Sequence, residues 1–141
     1  PGFLLAALLW PTLISRCTKN NEINIRKFFR SMDGVLREQQ KLTAVPRKFN
    51  SYIKDIWVLQ LKLHSRIKSQ PYKTIRHPRF RAAYDFLLVR EKASSDKNGL
   101  GKWWTDFQKN DDSLRGSLLA RMNEKNDVDS SKIFGFYNEL R

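Results

Sequence analysis

At 141 residues and 40% hydrophobic content, the chain is long enough for one folded domain with a core of its own. It carries 27 Lys+Arg against 14 Asp+Glu, a formal net charge of +13, and one cysteine, Cys17. This excludes an intrachain disulfide framework and a cysteine zinc cluster, and the composition is neither that of a disordered chain nor that of a membrane protein. The lone thiol reads as packing and fits a reducing, cytoplasmic setting.

The first element is the apolar run Phe3 to Trp10. It lacks an initiator Met and a basic leader and is too short to span a bilayer, so it reads as a core helix, kinked or ended near Pro11. The opening Pro1-Gly2 suggests a segment that continues an upstream part. A second helix is expected from about Asn24 to Lys41, with Ile25, Phe28, Phe29, Met32, Val35, Leu36 and Gln39 on one face. Pro46 breaks the pattern and opens a third helix over about Arg47 to Ile67. Its stripe runs through Phe49, Tyr52, Ile53, Ile56, Trp57, Gln60, His64 and Ile67, widened by Leu59 and Leu63. Ser69 to Tyr72 reads as a turn, followed by a short helical piece around Lys73.

Pro78 suits the first position of the next helix, along which Phe80, Ala83, Tyr84, Leu87 and Leu88 share a face. Arg76, Arg79 and Arg81 crowd its entrance, the end at which the helix dipole disfavours cations. A bound anion such as a phosphate would explain the placement. Residues 94–99 form a polar connector, and a fifth helix carries Leu100, Trp103, Trp104 and Phe107. The paired tryptophans read as a core plug, with base stacking as the alternative that requires exposure. Asp111 and Asp112 begin a further helix bearing Leu114, Leu118, Leu119 and Met122. Asn123 to Lys132 reads as a loop or linker, and the apolar residues from Ile133 to Leu140 either dock as a last helix or hang free.

The charge is localised. Residues 1–92 hold 19 basic and 6 acidic side chains, whereas residues 93–141 hold 8 of each. No acid lies between Asp55 and Asp85, the span that holds Lys62, Arg66, Lys68, Lys73, Arg76, Arg79 and Arg81 together with His64 and His77. Such a block attracts a polyanion, most often nucleic acid; its bland alternative is a solvated basic surface. Arg47 and Lys48 form a second patch. Arg79 or Arg81 could instead pair with Asp85, and Arg90 is expected to pair locally or with the connector. Catalytic chemistry is missing: the glycines form no phosphate loop, and the two histidines lack ligand spacing. His64 reads as a satisfied core residue, while His77 either bonds backbone or meets a phosphate.

Several segments resemble the C-terminal half of bacterial poly(A) polymerases, class II nucleotidyltransferases related to the tRNA CCA-adding enzymes. They are residues 3–11 (FLLAALLWP), 35–40 (VLREQQ), 44–48 (AVPRK), 55–61 (DIWVLQL), 77–90 (HPRFRAAYDFLLVR) and 102–108 (KWWTDFQ), in family order. The tail after Lys109 departs from the family, which often ends in a basic extension.

The resemblance implies an enzyme that adds adenylates from ATP to RNA 3′ ends, using magnesium held by carboxylates of an N-terminal head with a Gly-Ser and Asp-x-Asp signature. This sequence has neither motif. The segment is therefore expected to carry no catalytic residue, metal or cofactor of its own, and to hold single-stranded RNA beside that head.

The resulting expectation is an all-α protein, an irregular bundle of about five to seven helices. Residues 1–108 would form an RNA-binding body, and 109–141 a divergent tail, partly helical or flexible. Alternatives are a docking module for RNA-decay or RNA-chaperone proteins and the same region of a CCA-adding enzyme. A membrane-surface helix is disfavoured, because the basic and apolar residues are spread over helices that need one another for a core.

Overall fold

The computed structural model describes residues 1–44, 46–94, 99–109 and 111–125. Among these the backbone forms seven helices and one short hairpin, so the all-α expectation holds. The chain divides into two compact units, Pro1–Trp57 and Val58–Arg141.

The first unit opens with α1 (Gly2–Cys17), which runs through Pro11 rather than ending there. Proline removes one helical hydrogen bond, and burial of Leu13 and Cys17 beyond it favours continuing the helix. A hairpin, missed in the sequence, follows: β1 (Thr18–Lys19) pairs antiparallel with β2 (Glu22–Ile23). Its turn residues Asn20 and Asn21 have φ of 54° and 62°. Two successive left-handed residues are what a two-residue type I′ turn requires, and asparagine tolerates them. The next helix, α2 (Ile25–Leu42), is capped by Asn24, whose side chain accepts from the Lys27 N–H at 3.0 Å. Ile25, Phe28, Met32, Val35 and Leu36 are buried, as their spacing predicts. The N-terminal part of α3 (Lys48–Leu63) completes the unit. Here Trp57 is fully buried and its Nε1 donates to the Ala6 carbonyl at 3.0 Å.

The second unit begins within α3, which ends at Leu63, four residues before the expected end. His64 N–H turns back to the Leu61 carbonyl and Ser65 N–H to that of Lys62, a tightening that closes the helix, and Lys68 then takes φ of 54°. His64 and Ile67 are thus half-buried turn residues, not members of a helical stripe. The expected turn at Ser69–Tyr72 is instead the start of α4 (Gln70–Ile75), with Pro71 in its first turn.

The following helix, α5 (Phe80–Ala93), begins two residues after Pro78, which lies in a turn closed by Phe80 N–H to the His77 carbonyl at 2.9 Å. Then come α6 (Leu100–Phe107) and α7 (Asp112–Lys125). Asp111 caps α7, accepting from the Ser113 and Leu114 N–H groups. Residues 123–125, expected as loop, continue that helix. The rest of that stretch, the last apolar segment and residues 95–98 of the connector lie outside the described residues.

Leu63, Phe80, Tyr84, Leu87, Leu100, Trp103, Trp104, Phe107, Leu118 and Met122 form the core of this unit. Trp103 stacks on Phe107 with ring centroids 5.0 Å apart. Trp104 has no exposed surface, and its Nε1 donates to the Leu63 carbonyl at 2.8 Å. Leu63 is the last residue of α3, so this indole satisfies a carbonyl that the helix end leaves without a partner. The tandem tryptophans are a core plug, and neither ring is available to a stacked base. No helix of the described residues is long and apolar enough to cross a membrane.

Candidate nucleic-acid interface

The acid-free block falls largely on one continuous stretch of the chain in the second unit: the end of α3, the turn after it, α4, the turn to α5 and the first turn of α5. Lys68, Lys73, Arg76, Arg79 and Arg81 are exposed along it, and Lys62 and Arg66 are half-buried. Arg47 and Lys48 belong to the first unit, where both are exposed and the Lys48 ammonium lies 5.4 Å from the Phe49 ring centroid.

The cations differ in how firmly they are held. Lys68, Lys73 and Arg76 make no ion pair with a described side chain. Arg81 bonds Asp85 at 3.3 Å, one turn on, and its guanidinium carbon lies 5.5 Å from the Tyr84 ring centroid. That confirms the local alternative for Arg81, although an exposed pair of this kind is weak and can exchange for a phosphate. The guanidinium of Arg66 lies 5.6 Å from the Trp103 ring centroid, so part of its side chain packs on the core. Neither α4 nor α5 has an acid in its first turn. The dipole at the entrance of α5 therefore adds to the positive potential of Arg76, Arg79 and Arg81.

His77 takes the backbone alternative: its Nδ1 accepts from the Arg79 N–H at 3.0 Å, fixing the turn that presents Arg76 and Arg79. Arg90 does not pair merely along its own helix. Its Nη1 donates to the Gln60 side-chain oxygen at 2.9 Å, and Gln60, itself buried, donates to the Ala83 carbonyl at 3.1 Å. Burial lowers the Arg90 pKa, opposed by the neighbouring Glu91 carboxylate. Arg90 is thereby part of the polar interior joining α3 to α5. Arg115 of α7 is likewise structural: its Nε donates to the Phe107 carbonyl at 2.8 Å and its guanidinium lies 4.8 Å from the Phe107 ring centroid.

The candidate contacts proposed from the sequence leave out the exposed cations of α2: Arg26, Lys27, Arg30, Arg37 and Lys41. Their helical spacing was the signal that could have found them. Among the described residues, no group of three or more His, Cys, Asp or Glu side chains gathers in a way that could hold a metal ion.

Residues 20–132 match a family model described as the polymerase A arginine-rich C-terminus. The chain is also similar to poly(A) polymerase I of Escherichia coli, at 32% identity over 131 residues, 89% of this chain and 28% of the relative. The corresponding enzyme of Salmonella typhimurium is 32% identical over 114 residues, covering 77% of this chain and 24% of the relative. That of Haemophilus influenzae is 33% identical over 124 residues, 84% of this chain and 27% of the relative. The chain thus spans about a quarter of the length of the curated relatives it matches.

Proposed function

Because this chain belongs to the polymerase A arginine-rich C-terminus family, we propose that it is the RNA-holding region of a bacterial poly(A) polymerase. The enzyme would add adenylates from ATP to RNA 3′ ends in the cytoplasm, with ATP and magnesium handled by a catalytic head outside this sequence. The names of the relatives favour poly(A) over CCA addition.

The observation that carries the reading is the run of exposed cations Lys68, Lys73, Arg76 and Arg79, in a span without an acid. A tail-adding enzyme must hold a growing strand without reading much of its sequence. Contacts from Lys and Arg to phosphate do this, because every nucleotide presents the same charge. Lys62, Arg66, Arg81, Arg47 and Lys48 complete the proposed contact set.

Binding of labelled oligo(A), followed by mobility shift across a salt series, tests the reading. Affinity is expected to fall steeply with salt and to weaken in the Arg76→Glu, Arg79→Glu double variant. Weak binding that ignores both salt and the substitutions would overturn it.

One observation favours an additional docking role. Leu4 and Leu8 stand one turn apart on α1 and are 61% and 64% exposed. A leucine pair of this kind suits support of the rest of the polymerase or an RNA-decay partner. On that reading Leu4→Ser with Leu8→Ser leaves oligo(A) affinity unchanged and weakens association with the catalytic head. Unchanged association would remove it.

A further inference from the structure

We infer that the outward face of α2 is a second contact track for the phosphate backbone of a single-stranded nucleic acid, formed by Arg26, Arg30, Arg37 and Lys41. The inference rests on the RNA-holding reading above but uses other residues, in the unit that holds Arg47 and Lys48 and none of the cations of the acid-free run. All four side chains are exposed. At about 100° per residue they fall within an arc of roughly 60°, opposite the buried stripe of the helix. They rise about 6 Å from Arg26 to Arg30, about 6 Å from Arg37 to Lys41 and about 22 Å in all.

Three observations favour a polyanion over a merely solvated face. The acids of α2 are both engaged by cations of other helices, Asp33 by Lys54 and Glu38 by Arg16. The helix therefore presents positive charge with its own negative charge already matched. Arg26 sits in the first turn of α2, where the dipole opposes it, and that turn has no acid to offset it. Finally, the large exposed apolar side chain of this helix, Leu42, lies at about 160° from Arg26, off the cation track. A protein partner would want an apolar anchor among the charges; a phosphate chain does not. Lys41 also helps hold the Glu38 carboxyl below its ordinary pKa, after the larger effect of Arg16, so it is the most compromised of the four.

The test uses the full 141-residue chain and fluorescence anisotropy of oligo(A) of about 20 nucleotides, longer than the roughly 4–16 nucleotides that a single-strand-binding fold covers. The variants are Arg30→Glu with Arg37→Glu, the milder Arg30→Gln with Arg37→Gln, and Arg76→Glu with Arg79→Glu. Circular dichroism checks that each folds, and the glutamine pair, which keeps helix propensity, serves if the reversal does not. Loss of two phosphate contacts is expected to flatten the log–log salt slope by about 1.4 and to weaken binding roughly tenfold at low salt.

Unchanged affinity and slope in the folded α2 variants, with loss in the Arg76, Arg79 variant, would overturn this inference and leave the proposed function standing. Loss in the α2 variants alone would support the track and remove the Arg76–Arg79 path instead. No effect in any variant would overturn both.

Discussion

Two indoles carry much of the specificity of this fold at single positions. Trp57 and Trp104 are both without exposed surface, and each donates to a backbone carbonyl distant in sequence, Ala6 and Leu63. Trp104→Phe keeps an aromatic ring but removes the donor and part of the volume. It orphans the terminal carbonyl of α3 in an apolar surround, so a loss of about 2–4 kcal/mol is expected in urea unfolding. A loss under about 0.5 kcal/mol would mean that water reaches that carbonyl. Gly101 is a quieter constraint. Its N–H donates to Glu91 at 2.7 Å, and a Cβ there would lie 2.8 Å from a Leu88 methyl and against the Glu91 carboxylate. Alanine normally gains about 1 kcal/mol over glycine inside a helix. Gly101 lies in the first turn of α6, short of the interior where that gain applies, and the facing Glu91 and Leu88 atoms are side-chain tips that can move, so Gly101→Ala is expected to shift the thermal midpoint only slightly.

At the level of elements, the link between α1 and α2 includes the Arg16–Glu38 pair at 2.5 Å. The Arg16 hydrogen bond is the largest influence holding the Glu38 carboxyl below its ordinary pKa. A carboxyl lowered on folding contributes stability above its unfolded pKa and loses it as pH falls through the folded one. The thermal midpoint of Glu38→Gln should therefore lie slightly below that of the parent at about pH 7 and converge with it by about pH 3. The pair is exposed, so the gap is small, and a constant gap across the range would deny the pair any role.

The β-turn between the short strands is a sharper test. Asn21→Val forces a β-branched residue into the left-handed region and is expected to cost about 1–2 kcal/mol, whereas Asn21→Gly should be neutral or better. This hairpin was the least legible part of the sequence, because two-residue strands are too short for any alternation to register. The adjacent Asn20-Asn21 was nonetheless a readable turn signal. Long periodic stretches such as α2 and α5 were legible to within a few residues. The early end of α3 was not, since Leu63, His64 and Ile67 continue an acceptable helical pattern and the bond from Trp104 that takes up the Leu63 carbonyl comes from a distant element. The cation block was legible from composition alone. The sequence could not show that Arg66 packs on Trp103 and Arg90 on Gln60, because both partners come from other elements.

For the molecule as a whole, excess positive charge and buried aromatic surface point to one mode of binding. Every ring of the described second unit is buried or packed against the core, including the half-buried Tyr72, which meets Phe107 edge-on at 5.3 Å. In that unit the rings are taken up by the core, so the hold on RNA proposed there rests on phosphate contacts. Such contacts are indifferent to base identity and sensitive to salt. A ligand that binds the folded chain and not the unfolded one raises the thermal midpoint, with a stabilisation that grows as the logarithm of ligand over Kd. Oligo(A) and oligo(U) of equal length are therefore expected to stabilise the chain equally at about 50 mM salt, by about 3 kcal/mol at a hundredfold excess over Kd. Both shifts should vanish near 0.5 M salt, with no quenching of the fluorescence of Trp103 or Trp104. A clear preference for oligo(A), or quenching that tracks binding, would show that bases are read and would sink the phosphate-only account.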